Sequence, residues 1–218
     1  PYTPTLFAEF KKRFGYDLKE RLPELFFRYT GEELSAASRD YIELCQELFL
    51  ENFAQPIQNW CHENKLLFTG HVLHEDSLTA QTVMQGSLMR FYEYMDYPGV
   101  DVLTEKNDSW WIVKQISSVA RQLDKKWVLS ELYGCTGWQM DLEDYKQVGD
   151  WQALFGINLR CPHLSWYTMK GEAKRDYPAS IFFQSAWYPE YRNLEDYFSR
   201  INVLMADADP VCGVLVIN

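Results

Sequence analysis

Short apolar runs recur along the later part of the sequence: "LLFTGHVL" from Leu66, "GVDVL" from Gly99, "KWVLSEL" from Lys126, "INLRC" from Ile157 and "GVLVIN" from Gly213. They begin about thirty residues apart, the length of a strand plus its crossover helix. Amphipathic stretches such as "SWWIVKQISSVARQLDKK" and "LEDYKQVGDWQALFG" fill the gaps. Such spacing is far too wide for hairpins and predicts parallel strands in an α/β fold. Two architectures share the rhythm, a doubly wound open sheet and a closed barrel. A nucleotide-binding doubly wound sheet would carry a glycine-rich first turn, and neither G-x-G-x-x-G nor G-x-x-x-x-G-K-[ST] occurs. The expectation is a parallel (β/α) barrel of TIM type.

A whole barrel takes roughly 250 residues and eight strands. Four runs read as firm strands, "SIFFQSAW" as a weaker one, and "GVLVIN" as a last strand with no helix after it. The chain therefore reads as an incomplete, C-terminal portion of a barrel. Residues 1–65 form a helical segment ahead of the strands, 66–207 the later strands and helices of the barrel, and 208–218 a last strand or the start of a following domain. In the helical segment "PTLFAEFKKRFG" stops at Gly15, and a long helix from Asp40 to Lys65 repeats Tyr41, Cys45, Leu48, Phe49, Phe53, Ile57, Trp60 and Cys61. Pro56 is expected to kink or divide it. A barrel cut in this way exposes a sheet edge, which a homo-oligomer or the remainder of the parent chain would cover.

The balance of charge narrows the function. A net charge of -10 repels a phosphate backbone, so nucleic acid is not an expected partner. No apolar stretch approaches the ~20 residues of a membrane span, and no export-signal pattern opens the sequence. A soluble, cytoplasmic protein is favoured, with secretion left open. The five cysteines are irregularly spaced and form no zinc-type pair or disulfide framework.

Chemistry in parallel barrels gathers after the carboxyl ends of the strands. There "LLFTGHVLHE" supplies His71, His74 and Glu75, "GVDVLTE" supplies Asp101 and Glu105, "WVLSELYGCTGW" supplies Glu131, Tyr133 and Trp138, and "INLRCPHLSWY" supplies His163, Trp166 and Tyr167. Carboxylates with aromatic rings suit a sugar. Two carboxyl groups across a glycosidic bond provide an acid for the leaving oxygen and a base or nucleophile on the other side. Flat rings such as Trp138, Trp166 and Trp187 stack on sugar C–H faces, while His71, His163 and Asp101 bond hydroxyls.

Structural roles compete with these. Asp141, followed by Asp144, is expected to cap the next helix, which leaves Glu131, ten residues earlier, without a capping role. Asp76 or Ser77 is expected to cap a helix starting near Leu78, close to Glu75. His71 and His74 are three apart on an extended strand and face opposite ways. With no H-E-x-x-H, neither a catalytic zinc site nor a metal-dependent amidohydrolase is expected. Cys135 or Cys161 beside His163 lacks an orienting group for nucleophilic chemistry.

Several of these residues also carry a resemblance. Ser130 and Glu131 ending a strand, the Gly134 to Trp138 loop, the Lys146 to Trp151 helix, and Gly156 to His163 are similar to the catalytic barrel of glycoside hydrolase family 106-like proteins, the α-L-rhamnosidases. The resemblance implies an inverting hydrolase that removes a terminal α-L-rhamnose, a pair of glutamates as acid and base, and a calcium-assisted site. Carried over by position, Glu131 and Glu75 are the catalytic pair. Tyr133, Trp138, His163, Trp166, Tyr167 and Trp187 line the sugar with His71 and Asp101, and an oligosaccharide or glycoside is the partner. The alternative is a non-catalytic carbohydrate-binding or interaction module on a degenerate barrel.

Overall fold

The computed structural model describes residues 2–26, 34–104, 110–172 and 181–217. The chain forms two compact units: residues 1–66 with 73–94, and residues 67–72 with 95–218. No helix among the described residues is long and apolar enough to cross a membrane.

The first unit is helical. Helix α1 (Leu6–Phe14) ends where Gly15 takes a left-handed φ of 82° and its N–H returns to the Lys11 carbonyl, a turn glycine makes without steric cost. Its Leu6 and Phe10 pack with Leu18, Ala37 and Leu44. After α2 (Pro23–Phe26), α3 (Ala36–Phe49) opens on Ser35, whose side chain accepts from the Ser38 N–H. A π-turn over Leu50–Ala54 leads without interruption into α4 (Gln55–Glu63). The expected break at Pro56 is thus a widened turn just ahead of it, where proline's missing N–H and crowding ring would strain an ordinary helix. Helices α5 (Leu78–Met84) and α6 (Leu88–Tyr92) complete the unit, and Ser77 caps α5.

The second unit is α/β. Its strands are β1 (Thr69–Gly70), β2 (Tyr97–Asp101), β3 (Leu129–Leu132) and β4 (Leu159–Pro162). They form one parallel sheet in the order β1-β2-β3-β4, with Gly70 opposite Pro98, Asp101 opposite Glu131, and Glu131 opposite Cys161. Each strand lies beside the next in sequence, without the reversal of order that marks a doubly wound sheet. This is consistent with part of a (β/α) barrel.

Helix α7 (Trp110–Gln122) buries Ile112, Val113, Ile116, Val119 and Ala120, the one-sided stripe of a crossover helix. Helix α8 (Leu142–Leu154) has the expected cap, Asp141 accepting from the Glu143 and Asp144 N–H groups while Asp144 accepts from Asp141. Helix α9 (Tyr191–Asp207) packs on α8 through Phe198, which joins Leu132, Tyr133, Tyr145, Val148 and Leu194 in the core. Asn158 ties the entries of β3 and β4 together: its Oδ1 accepts from the Val128 N–H at 2.8 Å and its Nδ2 donates to the Lys126 carbonyl at 2.7 Å.

Two expected strands are not strands. Residues 181–187 of "SIFFQSAW" form turns, with Ile181 buried in the core and Phe182 packed on Phe183 and Tyr188. Their apolar character serves loop packing rather than a ladder. "GVLVIN" pairs with none of β1–β4, and Val214 to Ile217 are exposed. Strand propensity alone does not make a strand; a hydrogen-bonding partner is needed.

Candidate active site

The carboxyl ends of three successive strands bring His71, Asp101 and Glu131 together. Asp101 closes β2 and is the in-register partner of Glu131 on β3, so both side chains leave the sheet on one face. His71 follows β1 directly. Its Nε2 lies 3.3 Å from Glu131 Oε2 and 3.7 Å from Asp101 Oδ2, and each side chain is 28–29% exposed. The other ring nitrogen, Nδ1, is 3.1 Å from the Val72 carbonyl oxygen. One nitrogen and two carboxylate oxygens from these residues lie within 4.8 Å of one another, a set that could hold a metal ion.

Burial pushes the Asp101 carboxyl above its ordinary value, an effect that His71 opposes and the Glu131 charge reinforces. His163 acts on Asp101 in the same sense as His71. Cys161 is the β4 neighbour of Glu131, and its thiol is pushed up by burial and then by that carboxylate.

The loops above the sheet place the remaining candidates unequally. His163 continues the β3–β4 ladder, its N–H donating to the Leu132 carbonyl at 2.8 Å. Trp138 is 44% exposed and meets Trp166 edge-on at 5.8 Å. Trp166 itself is buried. Tyr167 is 93% exposed. Tyr133 is fully buried, so its expected contact with a ligand is replaced by a supporting one: Arg160 Nη1 donates to its hydroxyl at 2.9 Å. Trp187 is partly buried against the core, packed on Tyr145 and donating from Nε1 to the Met140 carbonyl at 3.1 Å.

Glu75 belongs to the helical unit. It is 4% exposed, and its Oε1 accepts from the Tyr92 hydroxyl at 3.3 Å. That is the setting of a packed acceptor rather than of a carboxylate open to substrate. Glu105 lies outside the described residues.

Reading the sequence missed the network beneath the loop after β3. Arg160 Nη2 donates to Glu195 at 2.7 Å, Tyr191 donates to the same carboxylate, and the guanidinium lies 4.0 Å from the Phe198 ring centroid. A charged residue in the middle of the apolar "INLRC" was the available signal.

No protein family matches the sequence, and no curated protein matches it. Among solved structures, a rhamnosidase from Novosphingobium sp. PP1Y is similar, with a TM-score of 0.74 and 22% identity over 94% of this chain. The chain spans 20% of the length of that one. At this identity the likeness is one of fold.

Proposed function

We propose that the chain is part of the catalytic (β/α) barrel of a glycoside hydrolase, with Glu131 as a catalytic carboxylate and a terminal sugar, α-L-rhamnose, as the group removed. The observation that carries this reading is the convergence of Glu131, Asp101 and His71 at the strand ends of a fold shared with a rhamnosidase. The remaining strands would come from the same longer chain.

In this reading Glu131 exchanges a proton with water or the leaving oxygen, His71 holds its carboxylate, and Asp101, a like charge opposite it in register, tunes it. His163 bonds a sugar hydroxyl, and Trp138 offers its exposed ring to the C–H face. Inversion, which the family resemblance implies, needs a second carboxyl about 6.5–9.5 Å from the first to leave room for water. Asp101 has an oxygen within 4.8 Å of Glu131, too near for that water, and serves instead to position and tune it. For Glu75 to be the partner, its hydrogen bond from Tyr92 would have to open.

The implied calcium does not fit the strand-end residues. Calcium takes six to eight oxygen ligands, whereas this set offers two carboxylates and an imidazole nitrogen, and imidazole suits transition ions better. No catalytic step is assigned to it. The test is Glu131→Gln in the full-length protein with an aryl α-L-rhamnoside. Loss of turnover with an unchanged unfolding midpoint is the expected result, and turnover like the wild type would overturn the assignment. Sugar binding without turnover in the unaltered protein would favour a binding module.

A further inference from the structure

Gly134 stands between two residues with left-handed backbone, Tyr133 at φ 74° and Cys135 at φ 60°. That region disfavours side chains and is where glycine is ordinarily needed. Gly134 itself does not take a positive φ. The two residues with side chains carry the strained conformation, and the glycine sits where the backbone does not require one. Its reason must therefore be space.

A Cβ at position 134 would lie 2.8 Å from His163 Cγ, 3.1 Å from His163 Nδ1 and 3.1 Å from Leu103 Cδ2. Cγ is the first ring atom, so only a change of χ1 or of the main chain moves it away, and a forced departure from a staggered rotamer is strained. The main chain is held on both sides. The His163 N–H donates to the Leu132 carbonyl at 2.8 Å, and the Tyr133 N–H donates to the Leu103 carbonyl at 2.7 Å. An added methyl group would therefore press on the imidazole.

We propose that Gly134 is a positioning residue whose missing side chain forms the seat of the His163 ring, fixing that imidazole above the ends of β3 and β4 beside the strand-end carboxylates. The field of His163 reaches the Asp101 carboxyl, which places the ring within electrostatic range of the cluster. Its bearing on turnover rests on the reading of His163 as a sugar-binding group. A ligand-binding ring displaced by ~1 Å can cost on the order of 10²-fold in rate, so a single methyl group at this glycine is enough to be seen.

The experiment is a double-mutant cycle in the full-length protein: Gly134→Ala, His163→Ala and both together, read as kcat/KM for rhamnoside hydrolysis with unfolding midpoints alongside. Gly134→Ala is expected to lower kcat/KM by about tenfold or more, and to add almost nothing once His163 has been removed. Independent, additive losses would overturn the proposal, as would an unchanged kcat/KM. His163→Ala also makes room for the new methyl group, so the double variant folds even if Gly134→Ala alone does not. Adding Leu103→Ala to Gly134→Ala relieves only the leucine contact, and full recovery there would assign the effect to Leu103 and overturn the seat. If the unaltered protein turns over no rhamnoside, the functional reading fails by itself. The seat is then judged from a crystal structure of Gly134→Ala: a rotated His163 ring upholds it, and an unmoved ring rejects it.

Discussion

His71 Nε2 stands 3.3 Å from Glu131 Oε2. The same ring has Nδ1 at 3.1 Å from a carbonyl oxygen, that of Val72. Carbonyl and carboxylate oxygens only accept, so the ring can bond both at once only as the doubly protonated imidazolium. In that form one positive charge faces two in-register carboxylates, Asp101 and Glu131, whose like charges oppose each other in a partly buried site.

His71→Gln keeps a donor near the carboxylates but loses the group that can carry a proton and its charge, and His71→Ala loses both. Turnover in the full-length protein is expected to fall in that order, by about tenfold and then about a hundredfold, as the Glu131 carboxylate loses its fixed position. Steady-state kinetics of the two variants beside Glu131→Gln measure this. Equal and undiminished kcat/KM in both would mean that His71 does not hold Glu131 for chemistry.

Calcium should leave the protein unchanged at this site. An ion that binds the folded state raises stability by RT ln(1 + [L]/Kd), about 2.7 kcal/mol at a hundredfold excess over Kd. With an imidazole and two carboxylates as donors, millimolar calcium is expected to shift the unfolding midpoint no more than magnesium does, and EGTA is expected to shift it not at all. A calcium-specific rise that His71→Ala or Glu131→Gln abolishes would return calcium to these residues.

The sheet was legible because its period is long and its helices are amphipathic. "KWVLSEL" and "INLRC" contain β3 and β4, and Asp141 with Asp144 caps α8 as the pattern required. "SIFFQSAW" and "GVLVIN" misled for one reason: local propensity was taken for pairing, and pairing depends on a neighbour that composition does not name. Strand-end position gathered His71, Asp101 and Glu131, together with Glu75, Glu105 and the loop aromatics. The resemblance pairs Glu131 with Glu75, whereas strand register, which the sequence does not display, decides which acid stands beside it. Asp101 sits directly opposite Glu131, while Glu75, only four residues beyond His71, folds with the helical unit against Tyr92. The burial of Tyr133 was hidden because its left-handed backbone turns the chain just past β3.

Alkali should expose the buried tyrosines. Burial pushes the Tyr133 phenol up to about 12, although Arg160 donating to its oxygen pulls the other way. Burial also raises Tyr92, Tyr145 and Tyr191. Between the unfolded value of about 10 and these raised values the folded protein holds more phenol protons than the unfolded chain. Their contribution to stability is therefore complete below pH ~10 and is lost as pH rises through their raised values, about 12 for Tyr133 and higher for the others. Absorbance at 295 nm should rise in two stages, the second coinciding with loss of circular dichroism. A single step near pH 10 that accounts for all fourteen tyrosines, with the fold intact, would contradict the burial of this set.

Gly149 on α8 receives the Phe198 ring of α9, and the fit leaves no room for a methyl group. A Cβ there would lie 2.1 Å from Phe198 Cζ and 2.6 Å from Cε1. The ring is fully buried, and the Arg160 guanidinium lies 4.0 Å from its centroid, so retreat is resisted. Two effects oppose each other in Gly149→Ala. Alanine favours an exposed helix interior by about 1 kcal/mol, whereas overpacking a closed core costs about 1–3 kcal/mol, and contact this close falls at the upper end. Net destabilisation of about 1–2 kcal/mol is expected as a lower urea midpoint with an unchanged slope. Adding Phe198→Leu, which shortens the intruding side chain, should recover part of the loss. If Gly149→Ala instead raises the midpoint, the helix propensity has won, and α8 and α9 must separate easily enough to admit the methyl group.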